Sequence, residues 1–179
     1  MLLKEDVMIE FESPRLAMRQ IAAQDWAIFY ELHVNSIVIA KCFDPILPEE
    51  IEKRFEQRCK PWSFEDSDWL TLVVTNRDTG QALGLTGFCF DKGVAEVGYL
   101  FLPQYFGYGY CSESLAALLD WGSSELGIDE FQAVVTEGNI ASERVLRKCG
   151  FQLAEVIPQN YCISGRLYDD HIYRLAKID

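Results

Sequence analysis

Apolar and polar residues alternate along this chain with two different periods. Strand-like runs cover Arg15–Gln20, Leu70–Thr75, Ala82–Phe90, the segment from Val94 to Phe101, and Phe131–Thr136. Between the first two lie Trp26, Phe29, Tyr30, His33 and Ile37, spaced for one helix starting near Gln24. Asp44-Pro45 and Leu47-Pro48 then break the chain. Pro48 suits the first turn of a short helix with Ile51, Phe55 and Cys59 on one face. Arg77-Asp78-Thr79-Gly80 and Asp91-Lys92-Gly93 read as turns. Leu115, Leu118, Leu119 and Leu126 share one face of a longer helix that Gly127 stops. Ala141–Cys149 reads as a short helix ended by Gly150, and Phe151–Ile157 and Leu167–Ala176 as closing strands. Residues 43–48, 60–68 and 158–166 carry no regular pattern. Helices, then strands, then alternating elements predict an α+β domain on a mixed sheet.

The 179 residues suffice for one domain with a substantial core. No apolar run approaches the ~20 residues of a membrane span. The start, Met1-Leu2-Leu3-Lys4-Glu5-Asp6, lacks the basic opening and apolar core of a signal peptide. The six cysteines form no C-x-x-C pair, which favours free thiols and no metal. These features predict a cytoplasmic protein without a membrane partner. A net charge of −12 argues against nucleic acid, which needs a concentrated positive surface. Acids gather between Phe43 and Trp69, either as a solvated helix face or as a lure for a cationic acceptor.

The segment Gln104-Tyr105-Phe106-Gly107-Tyr108-Gly109-Tyr110-Cys111-Ser112 joins an apolar strand to the longer helix. Strand, glycine turn and helix together offer free N–H groups and a positive helix end to a phosphate. A P-loop would need Lys after Gly109, and a dinucleotide fingerprint would need glycine where Ser112 stands. What remains is Gln-x-x-Gly-x-Gly. It resembles the pyrophosphate loop of the GNAT acyltransferases.

A second segment, Asn139-Ile140-Ala141-Ser142-Glu143-Arg144-Val145-Leu146-Arg147-Lys148-Cys149-Gly150-Phe151, is similar to a signature of the RimJ/RimL branch of that family. Ser13-Pro14-Arg15-Leu16 resembles its first strand, and Tyr168-Asp169-Asp170-His171-Ile172-Tyr173 its end. The resemblance covers about residues 13–176 of a single domain, after an extension of residues 1–12. It implies a single-domain GNAT fold, a mostly antiparallel sheet with helices on both faces, whose fourth and fifth strands splay apart. It also implies acetyl-coenzyme A as cosubstrate and a primary amine as acceptor, either a protein N-terminus or a small amine such as a polyamine. A non-catalytic acyl-coenzyme A sensor with the same fold is the alternative. Both monomer and homodimer stay open.

The resemblance also assigns residues. Tyr99, Leu100 and Phe101 would pair their backbone with the pantetheine arm. Phe106, Gly107, Tyr108, Gly109 and Tyr110 would cradle the pyrophosphate, with Cys111 and Ser112 opening the helix and Gln104 bracing the loop. Asn139 would contact the pantetheine or form a turn, while Arg144, Arg147 and Lys148 would neutralise phosphate, or else Arg147 forms an i,i+4 helix pair with Glu143. Glu96, on the strand before the loop, is the candidate base, or else a structural carboxylate. Ser142 is the candidate proton donor to the leaving thiolate, or else a helix cap. Tyr161 is a candidate acid or substrate contact. Leu146 stands where many relatives carry a tyrosine acid, which excludes that mechanism here. Cys111, at a helix N-terminus, is expected to have a lowered pKa, though the family transfers acetyl directly. His33 reads as a core residue and His171 as packing or an acceptor-site wall.

Overall fold

The computed structural model describes residues 8–65 and 67–175. Eight strands form one sheet: β1 (Glu10–Glu12), β2 (Leu16–Gln20), β3 (Trp69–Asn76), β4 (Ala82–Asp91), β5 (Val94–Phe101), β6 (Glu130–Thr136), β7 (Phe151–Ile163) and β8 (Arg166–Leu175). Their order across the sheet is β1-β2-β3-β4-β5-β6-β8-β7, and only β5 and β6 run parallel. The helices are α1 (Trp26–Val34), α2 (Ser36–Ile39), α3 (Pro48–Arg58), α4 (Tyr110–Leu126) and α5 (Ile140–Lys148).

Alternation along β5 sorts the two faces. Ala95, Val97 and Phe101 join the core under α4, where Leu115 and Leu118 are fully buried. Each buried leucine contributes about 1.5–3 kcal/mol. Leu100 points the other way, into the core that Phe29, Ile51 and Phe55 of α1 and α3 build with Val73 and Leu85. The helices therefore cover both faces.

The parallel contact is short. β5 pairs with β6 only at Val94–Glu96, opposite Glu130–Gln132. Beyond Glu96 the two strands diverge, so one edge of Val97–Phe101 has no ladder partner among the described residues while the other stays paired to β4. This is the expected splay, between the fourth and fifth strands counted from β2.

Three elements depart from the sequence reading. The helix expected through Ile37 breaks at Asn35, whose side chain accepts from the N–H groups of Ile37 and Val38 and restarts the chain as α2. Glu10–Glu12 adds an edge strand, with Glu10 opposite Arg19. Residues 158–166, read as irregular, belong to the β7–β8 hairpin. A register shift between Ile157 and Tyr161 absorbs Pro158, and Ser164-Gly165, both at positive φ, make the tight turn. The end of the expected closing strand at Ala176 lies outside the described residues.

Candidate active site

The splay opens two cavities that meet. The first, of about 490 Å³, runs between β5, the glycine loop and α5. Tyr99, Leu100, Phe101, Phe106, Gly107, Gly109, Tyr110, Cys111, Ser112, Asn139 and Ser142 line it, with Arg144 beside them. The second, of about 370 Å³, lies between the sheet and α1 and α3. Its walls include Phe29, His33, Phe43, Arg54, Arg58, Trp69, Thr86, Gly87 and Gly98. Lys41, Cys42, Tyr99, Leu100, Asn139 and Ser142 line both, and so mark the junction.

The glycine loop has an open backbone. Gly107 and Gly109 take φ of +83° and +79°, and a Cβ on Gly107 would meet nothing within 4 Å. The loop approaches two cations: a Cβ on Gly109 would lie 3.6 Å from Arg15 Nη2 and 3.9 Å from Lys148 Nζ. N–H groups at a helix start, cations and a free strand edge suit an anionic pyrophosphate with an extended amide arm.

Arg15 and Glu113 hold this loop, and neither was assigned a role from the sequence. Glu113 accepts from Arg15 Nε at 2.6 Å, from the Arg15 backbone N–H at 2.8 Å and from the Ser13 hydroxyl at 2.7 Å. Arg15 Nη2 donates to the Tyr108 carbonyl at 3.1 Å, and its guanidinium lies 4.6 Å from the centre of the Tyr110 ring. Gln104, expected to brace the loop, is exposed and lines neither cavity. The Ser13-Pro14-Arg15 motif was the available signal.

At the junction, Asn139 caps α5 by accepting from the Ser142 N–H at 3.2 Å. The Ser142 carbonyl accepts from the Tyr99 hydroxyl at 3.2 Å. Both backbone groups of Ser142 are thus engaged, and its side chain faces no described hydrogen-bond partner. The cap belongs to Asn139, not to the serine. Burial, chiefly, raises the Tyr99 pKa, so the phenol stays protonated.

Glu96 stands elsewhere. It sits on β5 where β6 is still paired, accepts from Gln132 Nε2 at 3.1 Å and lines neither cavity. The Trp69 indole covers Gly98, the next residue on that face, where a Cβ would come within 3.0 Å of the ring. Tyr161 is paired with Tyr168 on the β7–β8 hairpin, also outside both cavities. Tyr108 joins the loop through its carbonyl, and its ring stacks on Tyr110 at 5.7 Å. Arg147 turns to the Tyr173 hydroxyl at 3.2 Å and lies 3.7 Å from Glu143. His171 faces Glu143 at 2.9 Å, and Leu146 is core.

One expectation about a titrating residue is reversed and one is extended. Cys111 lies at the start of α4, yet burial pushes its thiol pKa up, not down. His33 is 9% exposed but lines the second cavity. Its ring stacks on Phe29 at 4.1 Å, and its Nδ1 lies 2.7 Å from the Phe29 carbonyl. A carbonyl only accepts, so the neutral ring carries its proton on Nδ1 and leaves a lone pair on Nε2. Burial lowers its pKa, the Phe29 carbonyl opposes this, and Arg54 and Arg58 lower it further.

Known proteins share this fold. The family model described as acetyltransferase (GNAT) domain matches residues 15–152. The chain is 29% identical over 170 residues to the uncharacterized N-acetyltransferase YoaA of Bacillus subtilis, covering 93% of this chain and 96% of that one. An acetyltransferase of the GNAT family from Bacillus anthracis superposes with a TM-score of 0.81 at 22% identity, over 94% of this chain and 98% of that one. Spermidine N-acetyltransferase from Vibrio cholerae, solved with CoA and spermine, superposes with a TM-score of 0.80 at 18% identity, over 92% and 97%. With the motifs, the splayed strands and the family match in agreement, the chain belongs to the GNAT family and is an acetyltransferase.

Proposed function

We propose that this enzyme transfers acetyl from acetyl-coenzyme A directly to a primary amine, with the coenzyme in the first cavity and the acceptor in the second. The observation that carries this reading is the junction. A groove with an open glycine loop and a free strand edge meets a separate pocket at Tyr99, Leu100, Asn139 and Ser142. A structural neighbour solved with CoA and spermine supports a coenzyme and an amine as the two ligands.

The thioester is already activated, so the protein's part is to position the amine, accept its proton and supply one to the leaving thiolate. His33 fits the first proton step. It lines the acceptor cavity as a neutral imidazole with Nε2 unprotonated, reaching the amine directly or through one water. The Ser142 hydroxyl, at the junction, fits the second. Arg144 and Lys148 sit where coenzyme phosphates would need neutralising.

The test is thiol release from acetyl-coenzyme A across a panel of amines, with calorimetric binding of the coenzyme in parallel. Coenzyme binding with amine-dependent release is expected. Absence of coenzyme binding, or its persistence unchanged in Gly107→Val, would remove this reading of the first cavity.

A further inference from the structure

The acceptor cavity has the wrong charge for a polycation. The protein carries a formal net charge of −12, and residues 43–69 hold many of its acids. Yet Lys41, Arg54 and Arg58 line this cavity with His33, and among the described residues no Asp or Glu lines it. The cause is the phase of α3. Arg54, exposed, and Arg58, half-buried, lie one helical turn apart on the cavity side, whereas Glu49, Glu50, Glu52 and Glu56 of the same helix lie outside the lining. Arg54 and Arg58 also both act on the His33 ring, which places the two guanidiniums near it.

These cations lack the partners that others have. Arg15, Arg19, Arg77 and Arg147 each lie within 4.0 Å of a carboxylate. Among the described residues Lys41, Arg54 and Arg58 do not. Arg58 lies 5.3 Å from the centre of the Trp69 ring, and burial pulls its pKa down to about 10. Asp68 offsets this only in part, and its carboxylate accepts from Gln57 Nε2 at 2.8 Å. A half-buried guanidinium without a carboxylate calls for an anion from outside. A second wall residue also lacks a partner: the buried Thr86 Oγ1 has no hydrogen bond among the described residues.

We propose that the acceptor amine carries an anionic group, a carboxylate or a phosphate, which Arg58 and Arg54 bind while the amine reaches the Ser142 junction. The acceptor is then a small zwitterion such as an amino acid or an aminoalkyl phosphate. The cavity of about 370 Å³ has the size for such a molecule. This inference rests on the acetyl-transfer reading and narrows its acceptor.

Matched pairs test it. Thiol release would be measured with each amino acid against the amine lacking its carboxylate, with phosphoethanolamine against ethanolamine, and with spermidine and a basic peptide. Loss of the anion should lower kcat/KM by about tenfold or more, as expected for a charge-assisted contact. The amino-acid and phosphate arms decide which anion is used. Arg58→Gln and, separately, the more exposed Arg54→Gln should shrink that preference while calorimetric coenzyme binding persists. Coenzyme binding with preferred turnover of spermidine, the peptide or the anion-free amines would overturn the inference and spare the acetyl-transfer reading. Coenzyme binding without turnover of any anionic amine would overturn it too. Loss of coenzyme binding in the wild-type protein would overturn the reading beneath it.

Discussion

Arg15 and Glu113, 98 residues apart in sequence, tie the start of β2 to the first turn of α4 through a 2.6 Å contact from Nε to Oε2. The same arginine bonds the Tyr108 carbonyl inside the glycine loop, so the pair sets where the loop's N–H groups point. Glu113→Gln keeps the shape and removes the charge. Because Arg15 is 46% exposed, the stability cost should be only about 1 kcal/mol or less. Coenzyme affinity should fall more clearly, by several-fold, as the loop loses its anchor. Calorimetry beside a denaturation curve separates the two, and equal affinity in the variant would make the pair purely structural.

The same carboxylate should give an acid signature. Burial raises the Glu113 pKa, but hydrogen bonds from Ser13 and Arg15 and the charge of Arg15 outweigh it, so the net shift is downward. A lowered folded-state pKa stabilises the protein above the ordinary glutamate value of about 4.3, and that contribution is lost as pH falls through the lowered pKa. The stability gap between wild type and Glu113→Gln should therefore close on acidification below about pH 4. A gap independent of pH would mean that the charge of Glu113 does not matter.

Gly87 shows how tightly β3 and β4 pack beneath the acceptor cavity. A Cβ there would lie 1.9 Å from the Leu70 carbonyl oxygen, a backbone atom that cannot swing aside. Gly87→Ala should cost about 1–3 kcal/mol as an overpacked substitution. A fall in the denaturant midpoint would register it, and an unchanged midpoint would contradict the close approach.

Local signals carried much of the architecture. Gly107, Gly109 and the leucine face of α4 mark a loop and helix whose geometry is set within some twenty residues. The helix after Asn139 is equally local, since its cap accepts from a donor only three residues away. What stayed hidden depends on distance or on phase. The Arg15–Glu113 pair spans two motifs that were read separately. The acidic count of residues 43–69 concealed that α3 sets the half-buried Arg58 and the exposed Arg54 along the cavity and its glutamates away from it. His33 reads as core on its apolar helix face, and it is nearly buried; only the neighbouring cavity shows that its ring also has a functional side. Residues 158–166 carry no regular alternation because the register shift between Ile157 and Tyr161 interrupts it at Pro158.

His33 and Glu96 make opposite predictions for the pH profile. With His33 as base, kcat/KM should fall on the acid side with an apparent pKa below histidine's ordinary value of about 6.5, because burial lowers it. The neutral ring is the active form, so activity is lost as pH drops through that value. His33→Gln should remove this limb and cost about a hundredfold in rate. Glu96→Gln, outside both cavities and bonded to Gln132, should stay within a few-fold of wild type. Should Glu96→Gln collapse turnover while His33→Gln retains it with the limb intact, the base would be Glu96.

Ser142 and Asn139 can be separated because capping and proton supply use different atoms. The cap runs from the Asn139 side chain to the Ser142 backbone N–H, which an alanine at 142 preserves. Ser142→Ala should therefore leave thermal stability nearly unchanged and lower kcat by about tenfold, if its hydroxyl protonates the thiolate. Asn139→Ala should do the reverse in part, losing about 1 kcal/mol of helix stability with the cap. Pre-steady-state thiol release with a good acceptor places the Ser142 effect on the chemical step. If Ser142→Ala releases thiol at the wild-type rate, the leaving group takes its proton from the Tyr99 side of the junction or from water, and the serine side chain serves neither catalysis nor the cap.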